Sequence, residues 1–265
     1  MYILGVEPRL SSDRQPSPDP GSPLARTVFS FDGVPVTYDL HATDQNRVVL
    51  IIPGFWRSRR WASIDALVRA VSAHASAAVM DLRGHGDSGG TFGFNLHEWR
   101  DVAAVARDLV ETDGFRRIDL LGFSLGASIA VTAAAREPAI PWGELLLISP
   151  VSDFARIRPR LNPLTMRRHI AFSQAFRRPR FDWGFPFREK IRAADEIGKV
   201  TVPVTIVHVR RDWLVHHAHS ETLYARAREP KRLALLDVPG RWHADRILTS
   251  APDAIEPVLR EFLAK

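Results

Sequence analysis

The 265-residue chain has no cysteine at all. That absence excludes disulfides, thiolate zinc centres and cysteine nucleophiles, and it suits a reducing compartment. Long hydrophobic runs are missing as well. No uninterrupted apolar stretch approaches the length that crosses a bilayer, and the opening MYILGVEPRL has neither a basic n-region nor a long apolar h-region. A soluble, cytoplasmic protein is the expectation. The glycines of GHGDSGG lack the following Lys-Ser/Thr of a phosphate-binding loop, so no nucleotide is implied and no cofactor is required. Repeats are absent too.

The charges present are 36 Lys and Arg against 30 Asp and Glu, a net +6. Their placement matters more than their total. Residues 150 to 199 hold twelve basic against five acidic side chains, a net +7, which leaves the remainder of the chain at −1. Residues 1 to 25 end in a Pro/Ser-rich stretch and read as a flexible lead-in, with order beginning near Thr27. TVFSF and VPVTYDL alternate around Asp32-Gly33 as a hairpin. Short apolar runs of buried-strand type then alternate with segments of helical spacing: RVVLIIP, SAAVMDL, RIDLLGF, LLLIS, VPVTIVHV and KRLALLDV are the strands. Residues 95 to 113 read as one long amphipathic helix. Such alternation implies one α/β domain over residues 26–265, with a mostly parallel sheet covered on both faces and ligands at the carboxyl ends of the strands.

Two serines compete as nucleophile. Gly86-Asp87-Ser88-Gly89-Gly90 resembles the stretch around the nucleophile of trypsin-like proteases, but it follows a strand in a glycine-rich loop with no helix behind it. Those proteases also need a mostly antiparallel β-barrel, which strand–helix alternation contradicts. Gly122-Phe123-Ser124-Leu125-Gly126 lies between the strand RIDLLGF and the helix LGASIAV. That is the context a Gly-x-Ser-x-Gly elbow demands: a sharp turn holds the hydroxyl above the sheet, next to a helix N-terminus whose N–H groups face a developing oxyanion. Ser124 is the nucleophile on this reading.

Taken in order, LIIPGF, MDLRGHGDSGG, LLGFSLGAS, the acid after VTIVHV and the late GRWH resemble the serial landmarks of the α/β-hydrolase superfamily. The similarity runs from about Val28 to the C-terminus. It implies an α/β-hydrolase fold with a cap insertion at about residues 150–199, and it accounts for GDSGG as part of the family's Asp-x-Arg-Gly-x-Gly-x-Ser loop. It further implies the order Ser, acid, His, with His243 as general base and Asp212 as the orienting acid. Asp153, after LLLIS, is the rival acid, since some relatives place theirs there. His208-Val209 and His216 stand where the family often has a glycine and a proline. The oxyanion donors implied are the backbone N–H groups of Phe55 and Leu125, although Pro53-Gly54-Phe55 departs from the usual His-Gly-x.

His216-His217-x-His219 invites a metal reading, but no carboxylate or cysteine cluster completes a first shell, and no metal is expected. The cap segment interleaves Phe154, Phe172, Phe176, Phe181, Trp183, Phe185 and Phe187 with its arginines. The aromatics can wall an apolar acyl pocket while the arginines stay wet or meet an anion. The expected function is a serine hydrolase cleaving carboxylic esters through an acyl-enzyme. Two alternatives stand beside it: a thioesterase acting on an acidic carrier or coenzyme thioester, and a non-catalytic module docking an acidic partner on the basic cap. Nucleic acid is not expected, because no RNA-binding signature accompanies the basic residues.

Overall fold

The computed structural model describes residues 23–43, 46–157, 179–182 and 188–264. The hairpin predicted around Asp32-Gly33 forms as β1 (Leu24–Phe29) and β2 (Pro35–His41), with β1 starting three residues before Thr27. The apolar runs become β3 (Arg47–Ile52), β4 (Ser76–Met80), β5 (Arg117–Phe123), β6 (Trp142–Ile148), β7 (Val204–Val209) and β8 (Lys231–Leu236). They join in one eight-stranded sheet ordered β1-β2-β4-β3-β5-β6-β7-β8. β2 pairs antiparallel with β1 and β4, and every later pairing is parallel.

Parallel strands need crossovers, and helices supply them. α1 (Ala62–Ser72), α2 (Glu98–Glu111) and α3 (Leu125–Arg136) follow β3, β4 and β5. α4 (Ala193–Glu196) lies at the end of the predicted cap segment, and α5 (Ala218–Arg226), α6 (Ile247–Ser250) and α7 (Pro252–Leu263) follow it. Alternate strand residues feed two cores. Leu50, Leu120 and Leu145 meet α2 and α3 on one face, whereas Ile51, Leu121 and Leu146 meet α1 and α7 on the other. Nearly all of α3 is buried, which its run of alanines and small residues permits. β5 lies between β3 and β6, so the end of this strand is the best-braced point on the sheet's upper rim.

The helix expected from Asn95 starts three residues later, at Glu98. Phe94 and Asn95 have φ of 58° and 72°, outside the right-handed helical region, and the Asn95 amide donates instead to Thr132 Oγ1 (2.8 Å) and the Ile191 carbonyl (3.0 Å). Of the predicted cap, residues 158–178 and 183–187 lie outside the described residues, and with them Phe172, Phe176, Trp183, Phe185 and Phe187. Phe181 is described: it bridges to Phe92 and is buried.

The loop after β4 is tied by buried polar groups. Asp81 accepts from the backbone N–H of Arg59 and of Asp87, each at 2.8 Å, and pairs with the Arg59 guanidinium. Gly86 is required here: at φ 44°, a Cβ would sit 1.9 Å from Asp81 Oδ2. Arg83 forks onto Asp101 (2.6 and 2.7 Å) and reaches Asp32 (2.9 Å). His85 donates from Nδ1 to the Arg83 carbonyl (3.1 Å) and accepts at Nε2 from the Trp56 N–H (3.2 Å), which fixes its neutral tautomer.

Burial pushes the His85 imidazole down to about 4, outweighing the opposing pull of the Arg83 carbonyl and Asp81. An unfolded histidine titrates near 6.5, so between these values the unfolded chain binds the extra proton and stability is lost as pH falls through that window. His85→Gln removes the titration. Urea unfolding between pH 7 and 4 is expected to show wild type losing roughly 3 kcal/mol more than this variant; equal losses in the two proteins contradict the assignment.

Candidate active site

The turn from β5 into α3 holds Ser124 at φ 52° and ψ −117°, a strained conformation for a residue with a side chain. It exists because positions 122 and 126, two residues to either side, are glycine. A Cβ on Gly122 would stand 2.5 Å from Ala127 Cα, and one on Gly126 would stand 2.3 Å from the Ile52 carbonyl oxygen. The Ser124 N–H donates to the Ile148 carbonyl at 2.9 Å, so the elbow is also fastened to β6. Its hydroxyl is left at the floor of a pocket of about 390 Å³.

Two loops bring partners to that hydroxyl. His243, after β8, places Nε2 2.9 Å from Ser124 Oγ and Nδ1 2.7 Å from Asp212 Oδ2. With Nδ1–H donating to the carboxylate, Nε2 is the free acceptor for the serine proton. Asp212, after β7, is held by its other oxygen, which accepts from the backbone N–H of Leu214 (2.8 Å) and Val215 (3.0 Å). Burial alone would raise its pKa, but donors from His208 and His243 outweigh burial and hold the carboxyl well below the usual range. Asp212 is therefore an anion at neutral pH.

His208, in the family's usual glycine place, is a polar residue near the end of the apolar strand VTIVHV. A buried polar group in such a strand must find partners, and that was the available signal. Its Nε2 lies 2.9 Å from the Val215 carbonyl and 3.4 Å from Asp212 Oδ2, and Nδ1 lies 2.6 Å from Ser220 Oγ. Since a carbonyl only accepts, Nε2 carries the proton and shares it with the carboxylate. His85 was missed in the same way: its partner, Trp56, has φ 63° and stands beside Phe55.

The 53–55 loop runs against the elbow, close enough that a Cβ on Gly54 would stand 3.3 Å from Ser124 Cβ. Phe55 lines the pocket with Ser124 and His243, and Leu125 is the first residue of α3, where a backbone N–H has no intrahelical acceptor. Trp56, Trp213 and Trp242 add apolar walls. Phe55 packs on Phe92, Phe94 and Phe181, at 5.2 to 5.5 Å between ring centroids.

The rival groups sit elsewhere. Ser88 is fully buried, donates to the Asp81 carbonyl (2.7 Å) and accepts from the Thr37 N–H (2.9 Å), so it ties a loop. Asp153 caps the short 3-10 turn Phe154–Arg156 by accepting from the Ala155 N–H at 2.9 Å. His216 and His217 stack on each other, while His219 turns inward to Ser152 at 2.8 Å. No group of three or more His, Asp or Glu able to hold a metal occurs among the described residues. Nor is any described helix long and apolar enough to cross a membrane.

The architecture recurs in solved structures. An esterase of Pyrococcus furiosus superposes with a TM-score of 0.72 at 19% identity, covering 92% of each chain, and an esterase from Rhodococcus sp. gives 0.70 at 18%, covering 91% of this chain and 98% of that one. Ethanol acetyltransferase 1 of Cyberlindnera jadinii is 24% identical over 147 residues, 52% of this chain and 41% of that protein. A probable alcohol acetyltransferase of Wickerhamomyces anomalus is 25% identical over 115 residues, 40% of this chain and 33% of that protein. The chain thus spans less than half the length of the curated relatives it matches. An alpha/beta hydrolase family model matches residues 48–265, and with that match the chain belongs to the alpha/beta hydrolase family.

Proposed function

We propose that the protein hydrolyses carboxylic esters through an acyl-enzyme on Ser124. The observation that carries this reading is the continuous hydrogen-bonded series Ser124 Oγ, His243, Asp212 at the floor of the pocket. His243 Nε2 takes the hydroxyl proton as Oγ bonds to the ester carbonyl carbon, and the resulting oxyanion is met by the N–H groups of Phe55 and Leu125. The carbon–oxygen bond to the alcohol then breaks, and the alcohol leaves with the proton from His243. Water, deprotonated by the same imidazole, attacks the acyl-enzyme; the acid departs and Ser124 regains its proton. Asp212 holds the ring and stabilises the imidazolium in each half-reaction. No step needs a metal or cofactor.

The names of the curated relatives favour a second reading, in which an alcohol replaces water in the second half-reaction and a new ester forms. The tryptophans around Ser124 suit an alcohol's apolar tail. A thioester substrate fits the same chemistry, with a thiol as the leaving group.

A serine-directed fluorophosphonate is expected to modify Ser124 alone, and Ser124→Ala to lower kcat by about 10³-fold or more. An adduct mapped by mass spectrometry to Ser88 contradicts the assignment. Asp212→Asn is expected to cost about 10⁴-fold in kcat, against less than about threefold for Asp153→Asn, in variants with matching circular dichroism; the reverse order returns the acid to the earlier strand. With 4-nitrophenyl acetate and rising ethanol, ethyl acetate measured by gas chromatography reports the partition. Pure hydrolysis leaves acetate as the sole acyl product, and transfer makes ethyl acetate rise with ethanol while acetate falls.

A further inference from the structure

Two arginines lie close in sequence to the proposed general base. Arg241 and Arg246 stand two residues before and three residues after His243, and both line the Ser124 pocket with exposed side chains. Arg57 lines it as well, but its charge is answered: Asp245 accepts from Arg57 Nε at 3.1 Å and from Ser63 at 2.7 Å. Asp245 is the only carboxylate lining this pocket among the described residues. Arg241 and Arg246 have no acidic partner there. A neighbouring depression shares Arg246 and adds Arg60, but Arg60 is paired with Asp87 at 3.0 Å, so the unanswered charge is that of Arg241 and Arg246.

Chemistry decides which part of a substrate meets these arginines. In the reading of Ser124 as an esterase nucleophile, on which this inference rests, the leaving oxygen must lie at His243 Nε2 to receive its proton as the carbon–oxygen bond breaks. Groups surrounding His243 therefore surround the leaving alcohol or thiol. Phe55, the pocket residue opposite in chemistry to these arginines, packs on the buried rings of Phe92, Phe94 and Phe181 and brings no charge. Trp242, between Arg241 and His243, gives the leaving group an apolar wall. We propose that the natural leaving group carries an anion, a carboxylate or a phosphate, and that Arg241 and Arg246 bind it. Guanidinium forks suit both anions, and a flat apolar body next to a charged end matches a pocket lined by Trp242 together with the two arginines.

The test places the charge at defined ends of small esters. Hydrolysis of 4-acetoxybenzoate, charged on the leaving side, is compared with that of neutral 4-acetoxybenzamide, in wild type and in Arg241→Gln/Arg246→Gln. The anionic-to-neutral ratio of kcat/KM is expected to fall roughly tenfold in the variant, through KM for the anionic ester. In wild type, raising salt from 0.02 to about 0.5 M is expected to lower the same ratio, because such exposed contacts are screened. 4-Acetoxyphenyl phosphate in place of the benzoate tells carboxylate from phosphate by which anionic ester loses more. A ratio that stays within about twofold under both treatments overturns the proposal, as does a loss confined to phenyl hydrogen adipate, whose charge is on the acyl side. Ser124→Ala separates the two readings: if it still hydrolyses 4-acetoxybenzamide at the wild-type rate, the esterase mechanism fails, whatever the ratio shows.

Discussion

The constraint on which the site depends is steric. Ser124 occupies a backbone region that residues with side chains avoid, and it is held there because β3, β5 and α3 approach so closely that positions 122 and 126 admit no Cβ. The strain is repaid by packing over the whole α3 contact and by the bond to the Ile148 carbonyl. The other parts of the site are placed relative to this point. The loop after β3 runs along it, and the loops after β7 and β8 bend over it with Asp212 and His243.

Much of this was legible because it is periodic or local. Apolar runs of strand length, separated by segments of helical spacing, give the parallel sheet, and Gly-x-Ser-x-Gly at a strand-to-helix junction has one steric explanation. Ser88 shows the limit of a motif without context: the same five letters that surround a nucleophile elsewhere here bury a serine between the Asp81 carbonyl and the Thr37 N–H. What was not legible depends on contacts distant in sequence. The start of α2 shifted because Asn95 is drawn to Thr132 and Ile191, 37 and 96 residues away. His85 and His208 each act through a partner that no local pattern names.

Buried carboxylates recur where loops must be rigid. Asp81, Asp101 and Asp212 are each removed from water, and each is answered by a guanidinium, by imidazoles or by backbone N–H groups. A buried charge that loses its partner costs several kcal/mol, so Asp81 and Asp212 confine their own loops, and Asp101, on α2, confines the loop after β4 through Arg83. The arginines at the mouth of the pocket follow the opposite rule. Arg241 and Arg246 are exposed and, among the described residues, have no acidic partner, and they lie outside the segment that holds the basic excess of the chain.

The three groups of the proposed triad are mounted on parts of the sheet with different holds. Ser124 ends a central, fully enclosed strand, whereas His243 follows β8, the outermost and half-exposed strand. Proteins open in pieces, and edges with few buried contacts open first. His243 is therefore carried by the less buried margin of the sheet and Ser124 by its interior. Local opening at that margin would part the imidazole from the hydroxyl without disturbing the elbow.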